Sequence, residues 1–269
     1  MKHSLAYSLS LAAAASAVLV MGCGGDTSTP GGSVPDELIA DFTKDNGLNP
    51  ADGRQGGFYV YGDDKGTFDP PKVGEDAYPT DPDNGNPNGS GPGSFHTKAS
   101  GFGTWGAAMG TDFAPKEGDF KGTYNASKYK GVSFWAKAGA ALTGVQVSFP
   151  DIYTDAKGNP NALNSEIFPC AYITGATNNC SPYLVKFADA NGKFPKYESY
   201  QIDTEWKQFD IFFEDTQQDQ YNPGFHTEAD KVDLEHLTAM AIQVNATYVD
   251  GKATQNDFEL WLDDVYFIK

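Results

Sequence analysis

The sequence predicts an all-β domain, built as a sandwich of two antiparallel sheets. Apolar residues alternate with polar ones in several short runs, which is the period of a strand with one buried face. Turn-forming residues separate these runs, and the chain contains 30 glycines and 16 prolines. Long helical stripes are missing, and aromatic residues make up 13% of the chain. Many short strands with this aromatic content favour a two-sheet sandwich or jelly roll.

Seven segments carry the strand pattern, four as strict alternation and three as denser apolar stretches. In chain order they are Leu38 to Phe42, Phe58 to Tyr61, Val132 to Ala136, Val145 to Phe149, Phe209 to Phe213, Ala239 to Val244 and Phe258 to Leu262. Only Ala126 to Tyr129 and Leu234 to Leu237 have the pattern of single helical turns. Residues 78–94, rich in Asn, Gly and Pro, predict a long loop.

The last of these segments changes face. The apolar residues of Phe258 to Leu262 fall on even positions, whereas Val265 and Phe267 fall on odd ones. A β-bulge at Asp263 and Asp264 would return the apolar set to the core after one inserted residue. The sequence therefore predicts a bulge that leaves an aspartate at the edge of the sandwich.

The first residues predict an export signal that is not part of the fold. Met1 to His3 carry one lysine, and Leu5 to Met21 form an apolar stretch. Serines interrupt this stretch, which is shorter than the roughly 20 residues that span a bilayer. Val20-Met21-Gly22-Cys23 resembles the bacterial lipobox, in which a peptidase cuts before a lipid-modified cysteine. An ordinary signal peptide that leaves Cys23 free is the alternative.

This interpretation divides the chain into three parts. Residues 1–22 are the lipoprotein signal peptide, residues 23–37 the acylated cysteine and a flexible linker, and residues 38–269 the β-sandwich domain. Acyl chains would anchor the protein to a membrane, since each buried methylene contributes about 0.8 kcal/mol. Gly24 after the cysteine resembles lipoproteins of the Gram-negative outer membrane. The predicted location is therefore the cell envelope.

Charge and cysteine content narrow the function classes. The formal net charge of −17 repels nucleic acid and anionic headgroups, so nucleic acid is not an expected partner. Cys170 and Cys180 are the only other cysteines, and in an oxidising compartment they most simply form a disulfide. A metal or redox role would need further ligands near them.

Catalytic motifs are weak, and the sequence favours a protein that is not an enzyme. Gly101 to Gly106 match GxGxxG formally, but Gly110 and Pro115 follow where a helix should begin. The sequence contains no GxSxG or HExxH motif. Three scattered histidines follow the signal: His96, His226 and His236. The 36 acidic residues leave a glycoside hydrolase with two carboxylates as a less favoured alternative.

Four segments resemble the galactose-binding-like jelly roll of carbohydrate-binding modules. They are the opening at Leu38 to Phe42, the Tyr-Lys-Gly-Val-Ser-Phe-Trp-Ala-Lys segment at 129–137, the Glu-Trp segment at 205–213 and the ending Phe-Glu-Leu-Trp-Leu-Asp-Asp-Val-Tyr-Phe. Residues 94–110 and the cysteine pair resemble lipoproteins of myxobacterial type. The resemblance implies a glycan partner, although the same fold also serves assembly and structural roles.

The resemblance also implies a structural Ca²⁺ ion between the first and last strands. Asp41 and Asp264 are the positions that match, and carboxylates are ligands that this cation prefers. The alternative is that Asp263 and Asp264 cap the bulge through hydrogen bonds to the backbone.

Sugar binding needs exposed aromatic faces beside polar side chains. Trp135 occupies an odd position of its strand, like Ser133 and Lys137, whereas the apolar Phe134 and Ala136 occupy even ones. Trp135 is therefore expected to point away from the core. Other candidates for the same outward face or its rim are Tyr59, Tyr61, His96, Trp105, Asp151 and Tyr153. Burial of each aromatic ring under a neighbouring loop is the alternative. Trp206 and Trp261 are assigned to the core or to strand ends.

Two functions from different classes remain open. The first is a membrane-tethered, non-catalytic lipoprotein similar to a carbohydrate-binding module, with a coplanar set of exposed aromatic rings on a concave sheet face. The second is a structural or assembly lipoprotein of the cell envelope, with a covered or polar face and a flat surface for a partner.

Overall fold

The computed structural model describes most of the predicted domain. The described residues are 35–45, 47–69, 80–81, 84–142, 144–155, 157–158, 183–186, 201–218, 231–249, 252–254 and 257–269. Cys23, Cys170 and Cys180 lie outside these ranges, so the lipid anchor and the disulfide stay predictions. No helix in the described part is long and apolar enough to cross a membrane.

The first sheet is antiparallel and centres on the last strand of the sequence. Its main path runs through β10 (Lys207–Phe212), β7 (Gly131–Ala138), β15 (Phe258–Ile268), β5 (Ser94–Ser100) and β3 (Thr67–Asp69). Two further strands pair with this path: β1 (Leu38–Ala40) with β15, and β4 (Thr80–Asp81) with β5.

The second sheet is also antiparallel and packs against the first. It runs in the order β11 (Gln217–Gln218), β9 (Tyr183–Lys186), β8 (Val145–Phe149), β12 (Ala239–Asn245), β6 (Gly106–Asp112) and β2 (Tyr59–Gly62). A separate hairpin joins β13 (Thr247–Val249) to β14 (Lys252–Thr254). The chain passes repeatedly from one sheet to the other, which is the winding of a jelly roll. The predicted all-β sandwich is confirmed.

The core between the sheets is rich in phenylalanine. The rings of Phe42, Phe58 and Phe95 lie 5.1 to 5.8 Å apart, and each of these side chains is almost completely buried. Burial of one such side chain contributes roughly 1.5 to 3 kcal/mol. None of the four tryptophans belongs to this core.

The predicted bulge in the last strand is confirmed. The pairing of β15 with β7 shifts register between Asp263 and Tyr266. Leu262 before the shift and Val265 after it are both fully buried, so the bulge keeps the apolar set on the inner face. Asp264 accommodates the extra residue with φ of 45°, in the left-handed region.

Several boundaries differ from the sequence predictions. The first strand ends at Ala40, because the positive φ of Phe42 turns the chain. Leu234–His236 is a 3₁₀ turn, as expected for a single helical turn. Residues 126–129 instead form a reverse turn, closed by the Tyr129 N–H donating to the Ala126 carbonyl over 2.9 Å.

Strands β5 and β6 were not predicted, and the GxGxxG match is the connection between them.

A buried arginine holds the chain where it enters the domain. The Arg54 guanidinium donates to the carbonyls of Asp36 (2.7 Å), Leu38 (2.9 Å) and Asn49 (3.1 Å), and to the Tyr124 hydroxyl (3.0 Å). It also lies 5.5 Å from the ring centroids of Tyr124 and Phe267. Arg54 therefore ties the segment before β1 to the core.

We predict that Arg54→Met lowers the free energy of unfolding by about 2 to 4 kcal/mol, because buried carbonyl oxygens lose their donors. Urea unfolding measures the change. Lys128→Met is the control, since it removes an ion pair with Asp52 on the surface, where such pairs contribute little. Equal stability of Arg54→Met and the unaltered protein would contradict the role given to Arg54.

Candidate functional site

Aromatic side chains line the outer face of the second sheet at its β2 edge. Tyr59 and Tyr61 flank the buried Val60, so both rings point away from the core. The Tyr59 and Tyr61 ring centroids are 5.7 Å apart, and those of Tyr61 and Trp105 are 6.0 Å apart. Trp105 is 38% exposed, more than any other large hydrophobic side chain in the described part of the chain. We call these three residues the aromatic strip.

Small residues lie beside the aromatic strip. The register of β2 with β6 places Tyr59 opposite Gly110 and Tyr61 opposite Ala108. On the next strand, Ala241 lies opposite Gly110. Directly paired residues share one face of an antiparallel sheet. The outer face beside the large rings is therefore formed by small residues, of which Ala108 and Ala241 are buried.

Amide side chains follow on the far side of the small residues. Gln243 on β12 pairs with Ala108 on one side and with Gln146 on the other, so Gln243 and Gln146 share the outer face with Ala108. The Gln243 amide donates to Asn245 Oδ1 over 2.5 Å, and the Asn245 amide donates to Gln146 Oε1 over 3.2 Å. We call the side chains of Gln243, Asn245 and Gln146 the amide row. Each amide carries both donors and acceptors, which suits recognition of hydroxyl groups.

An ion-pair network fixes the Tyr59 end of the aromatic strip. The Tyr59 hydroxyl donates to Asp112 Oδ1 over 2.9 Å. The Lys121 ammonium lies 2.9 Å from the same oxygen and 3.1 Å from Asp155 Oδ2. Burial alone would lower the pKa of Lys121, but Asp155, Tyr59 and Asp112 raise it above its ordinary value. The network holds Tyr59 in place between two loops.

A second carboxylate fixes the Trp105 end. Asp63 Oδ2 accepts the backbone N–H groups of Thr104 (2.7 Å), Trp105 (3.2 Å) and Gly106 (3.3 Å). Its Oδ1 accepts the N–H of Lys65 over 3.1 Å. Burial would raise the pKa of Asp63, but these four donors bring it below the ordinary value. The connection that carries Trp105 is therefore attached to the end of β2.

The structure places Trp135 and His96 elsewhere, so the expectation of one shared outward face was wrong. Trp135 does point outward, as its parity predicts, but it lies on β7 of the first sheet. His96 lies on β5 of the same sheet, stacked on Trp261 with ring centroids 4.5 Å apart. Outward residues of the two sheets of a sandwich face opposite directions. Trp135 and His96 therefore stand on the opposite side of the domain from Tyr59 and Tyr61.

Asp151 closes a loop and does not face a ligand. It is 1% exposed and accepts the N–H groups of Tyr153 (3.1 Å), Thr154 (2.9 Å) and Asp233 (2.9 Å). Burial raises its pKa. Tyr153 is half-buried in the same loop. We therefore do not retain Asp151 as a sugar ligand, and Tyr153 lies apart from Tyr59 and Tyr61 in the sequence of strands, in the loop after β8.

The assignment of Trp261 to the core or to a strand end was wrong, because Trp261 lies within β15 and faces outward. Its indole N–H donates to Asp81 Oδ2 over 3.2 Å. The Lys137 ammonium lies 4.8 Å from the Trp261 ring centroid and 5.2 Å from that of Trp206. Trp206 precedes β10, at the strand end where it was expected. The rings of Trp261 and Trp206 are thus engaged by side chains of the protein itself.

The acidic bulge binds the glycine-rich loop that precedes β5. Asp264 Oδ2 accepts the side-chain amide of Asn86 (2.8 Å) and the backbone N–H of Ser90 (3.1 Å). Asp263 Oδ2 accepts the Asn86 backbone N–H over 2.8 Å. Burial, with the charges of Asp264 and Asp41, raises the pKa of Asp263 to about 7. The bulge therefore has the backbone capping that the sequence left as one alternative.

Calcium at Asp41 and Asp264 stays a prediction. No group of three or more His, Cys, Asp or Glu in the described ranges is arranged to hold a metal ion. Ca²⁺ takes about six to eight oxygen ligands, so backbone carbonyls or water would have to supply most of them. The mutual repulsion of the carboxylates at the bulge is the feature that a cation would relieve.

Thermal unfolding in EDTA tests the calcium prediction. Removing the cation is expected to lower the Tm, and added Ca²⁺ should restore it, because a ligand that binds only the folded state stabilises that state. Asp264→Asn should weaken this response, and Asn also tolerates the left-handed backbone at this position. A Tm that EDTA leaves unchanged in the unaltered protein contradicts the prediction.

Burial of Tyr61 generates a separate prediction at high pH. Burial raises the pKa of Tyr61 from 10.0 to about 12. Between these values the unfolded chain loses the phenol proton while the folded protein keeps it. The stability that this group contributes is therefore complete below pH 10 and is lost as the pH rises towards 12. Urea unfolding of Tyr61→Phe should show a smaller loss over this range than the unaltered protein, and equal losses would contradict the burial of Tyr61.

Comparisons with known proteins show likeness at the level of the fold. No protein-family model matches the chain, and no curated protein matches it. The chain is similar to the family 11 carbohydrate-binding module of Clostridium thermocellum, solved with a β-1,3-1,4-mixed-linked tetrasaccharide. The TM-score is 0.43 and the identity 14%, over 86% of this chain and 94% of the module.

Two further modules show comparable likeness. The family 30 module of a Clostridium thermocellum cellulosomal cellulase has a TM-score of 0.39 and 13% identity, over 86% of this chain and 96% of the module. A family 4 module has a TM-score of 0.31 and 14% identity, over 87% of this chain and 94% of the module.

Proposed function

We propose that this protein is a non-catalytic carbohydrate-binding module that holds a polysaccharide chain on the outer face of its second sheet. The observation that carries this proposal is the aromatic strip. Three neighbouring rings, Tyr59, Tyr61 and Trp105, stand in contact along one sheet edge, and Trp105 is exposed. The C–H face of a pyranose ring packs on such side chains, and nearby polar groups bind its hydroxyls.

The arrangement supports a single polysaccharide chain as the ligand. The Tyr59 and Tyr61 rings are tilted by 44° to each other, and those of Tyr61 and Trp105 by 43°. The coplanar platform expected from the sequence is therefore not present. Rings that turn with the twist of the sheet suit a twisted, soluble chain better than a flat crystalline surface. The amide row lies across the small residues, where it can bind hydroxyl groups of the same chain.

Two of the carboxylates beside the aromatic strip support binding without hydrolysis. Asp112 and Asp155 both contact the Lys121 ammonium, and Asp112 also accepts from Tyr59. A glycoside hydrolase needs one carboxyl group that carries a proton for the leaving oxygen. Two carboxylates that share one half-buried lysine are arranged as a structural ion pair.

We further propose that the domain works at the cell envelope. A lipid on Cys23 would anchor it, and residues 23–37 would give it reach as a flexible linker. The outer membrane of a Gram-negative cell is the proposed site of attachment, and a Cys170–Cys180 disulfide would accord with export. The lipobox resemblance and the linker composition support this part of the proposal.

Affinity gel electrophoresis against a polysaccharide panel tests the proposed function. The panel contains β-1,3-1,4-mixed-linked glucan, xylan, a bacterial capsular polysaccharide and peptidoglycan fragments. We expect retention on at least one, with Tyr61→Ala and Trp105→Ala each weakening it by about tenfold, or about 1.4 kcal/mol. Trp135→Ala is the matched control, since it removes a half-buried tryptophan from the opposite sheet.

Two outcomes contradict the proposal in different ways. Loss of binding in Trp135→Ala, with Tyr61→Ala unaffected, would move the site to the first sheet. Absence of retention on every polysaccharide would favour the structural or assembly lipoprotein instead.

A further inference from the structure

We propose that Asp63 is a positioning residue for glycan binding, one that sets the place of Trp105 without contacting the sugar. This inference rests on the proposed function of the aromatic strip. Tyr61 belongs to a strand, whereas Trp105 belongs to the connection between β5 and β6 and has no regular structure to hold it. The place of Trp105 beside Tyr61 therefore depends on contacts of this connection with the rest of the domain.

Asp63 supplies three of those contacts through a single oxygen atom, beside the Ala246 N–H, which donates to the Trp105 carbonyl over 3.3 Å. Three successive backbone N–H groups, of Thr104, Trp105 and Gly106, converge on Oδ2 at 2.7 to 3.3 Å. Successive N–H groups that point to one side form a concave site for an anion. The Asp63 side chain fills this site, and Asp63 is buried.

The same residue also bonds to the connection through its backbone. The Asp63 N–H donates to the Gly106 carbonyl over 3.0 Å, so the side chain and the main chain of Asp63 hold the same turn. Gly106 has φ of 111°, and a Cβ atom there would lie 2.1 Å from the Val244 carbonyl oxygen. Because β6 begins at this tightly placed glycine, the segment just before it depends on Asp63 for its direction.

The position of Asp63 in the sequence couples two members of the aromatic strip. Asp63 follows Tyr61 by two residues at the end of β2, and its carboxylate reaches the backbone of Trp105. The 6.0 Å separation of the Tyr61 and Trp105 rings therefore has a short structural link. Without the carboxylate, three N–H groups lose their acceptor, and the connection would rearrange to reach water.

A double-mutant cycle tests this link with the polysaccharide retained in the panel. Trp105→Ala and Asp63→Ala are each expected to weaken binding by about tenfold, which corresponds to about 1.4 kcal/mol. If Asp63 acts through Trp105, the double variant should bind no more weakly than Trp105→Ala alone. Additive losses would overturn the proposal, because they would show that Asp63 acts independently of Trp105.

Conservative replacement provides a second readout. In Asp63→Asn the amide oxygen can still accept the three N–H groups that converge on Oδ2, so affinity should stay within about threefold of the unaltered protein. Asp45→Ala is the matched control, because among the described residues Asp45 accepts a local N–H, from Gly47 over 2.8 Å, in another turn. It should leave affinity unchanged. Loss of binding in Asp63→Asn equal to that in Asp63→Ala would overturn the proposal.

Tryptophan fluorescence separates failure of this inference from failure of the proposed function. Asp63→Ala should increase acrylamide quenching, and the increase should vanish in a Trp105→Phe background. This result is expected even if no polysaccharide binds. Unchanged quenching in a folded Asp63→Ala protein would overturn the inference alone. Circular dichroism checks folding, and Asp63→Ser, which keeps one short acceptor, replaces Asp63→Ala if that variant does not fold.

Discussion

Burial of alternate side chains between two sheets is the constraint on which the other features depend. Each strand that contributes a phenylalanine or valine to the core must turn its remaining side chains outward. The two sheets therefore generate two outer surfaces that face apart. Tyr59 and Tyr61 reach one surface because Val60 is buried, and Trp135 reaches the other because Phe134 and Ala136 are buried. The composition of each surface follows from which strands share a sheet.

The fold could be predicted where strands alternate large apolar residues with polar ones. Strands β7, β8, β10 and β15 were found in this way, and β1, β2 and β12 were found as denser apolar stretches. The change of parity in β15 correctly indicated its bulge. Strands β5 and β6 were missed because their inner positions include small residues such as Ala99 and Ala107, which give little contrast in hydrophobicity. Local strand ends also depend on backbone torsions, as at Phe42, that the apolar pattern does not reveal.

The candidate site could be predicted only in part. Odd or even position in a strand shows whether a side chain points away from the core, and this prediction was correct for Trp135. Tyr59 and Tyr61, named as candidates for an outward face, also point away from the core. Parity does not show which sheet a strand joins, so residues of two opposite surfaces were grouped together. The Tyr-Val-Tyr alternation was the available signal for the strip. The contacts of Asp63 with Trp105 and of Lys121 with Asp155 join distant parts of the chain, and no spacing motif marks them.

The pairing of β1 with β15 has a consequence for how the protein acquires its structure. Leu38 pairs with Tyr266, so contacts in the first sheet join residues from opposite ends of the domain. β15 also lies between β5 and β7, and it follows both in the sequence. Such a high contact order predicts slow folding, and the first sheet cannot close while the chain is still being synthesised. Until β15 arrives, the inner edges of β5 and β7 are open to pairing with other chains, so the unfinished domain depends on protection from aggregation.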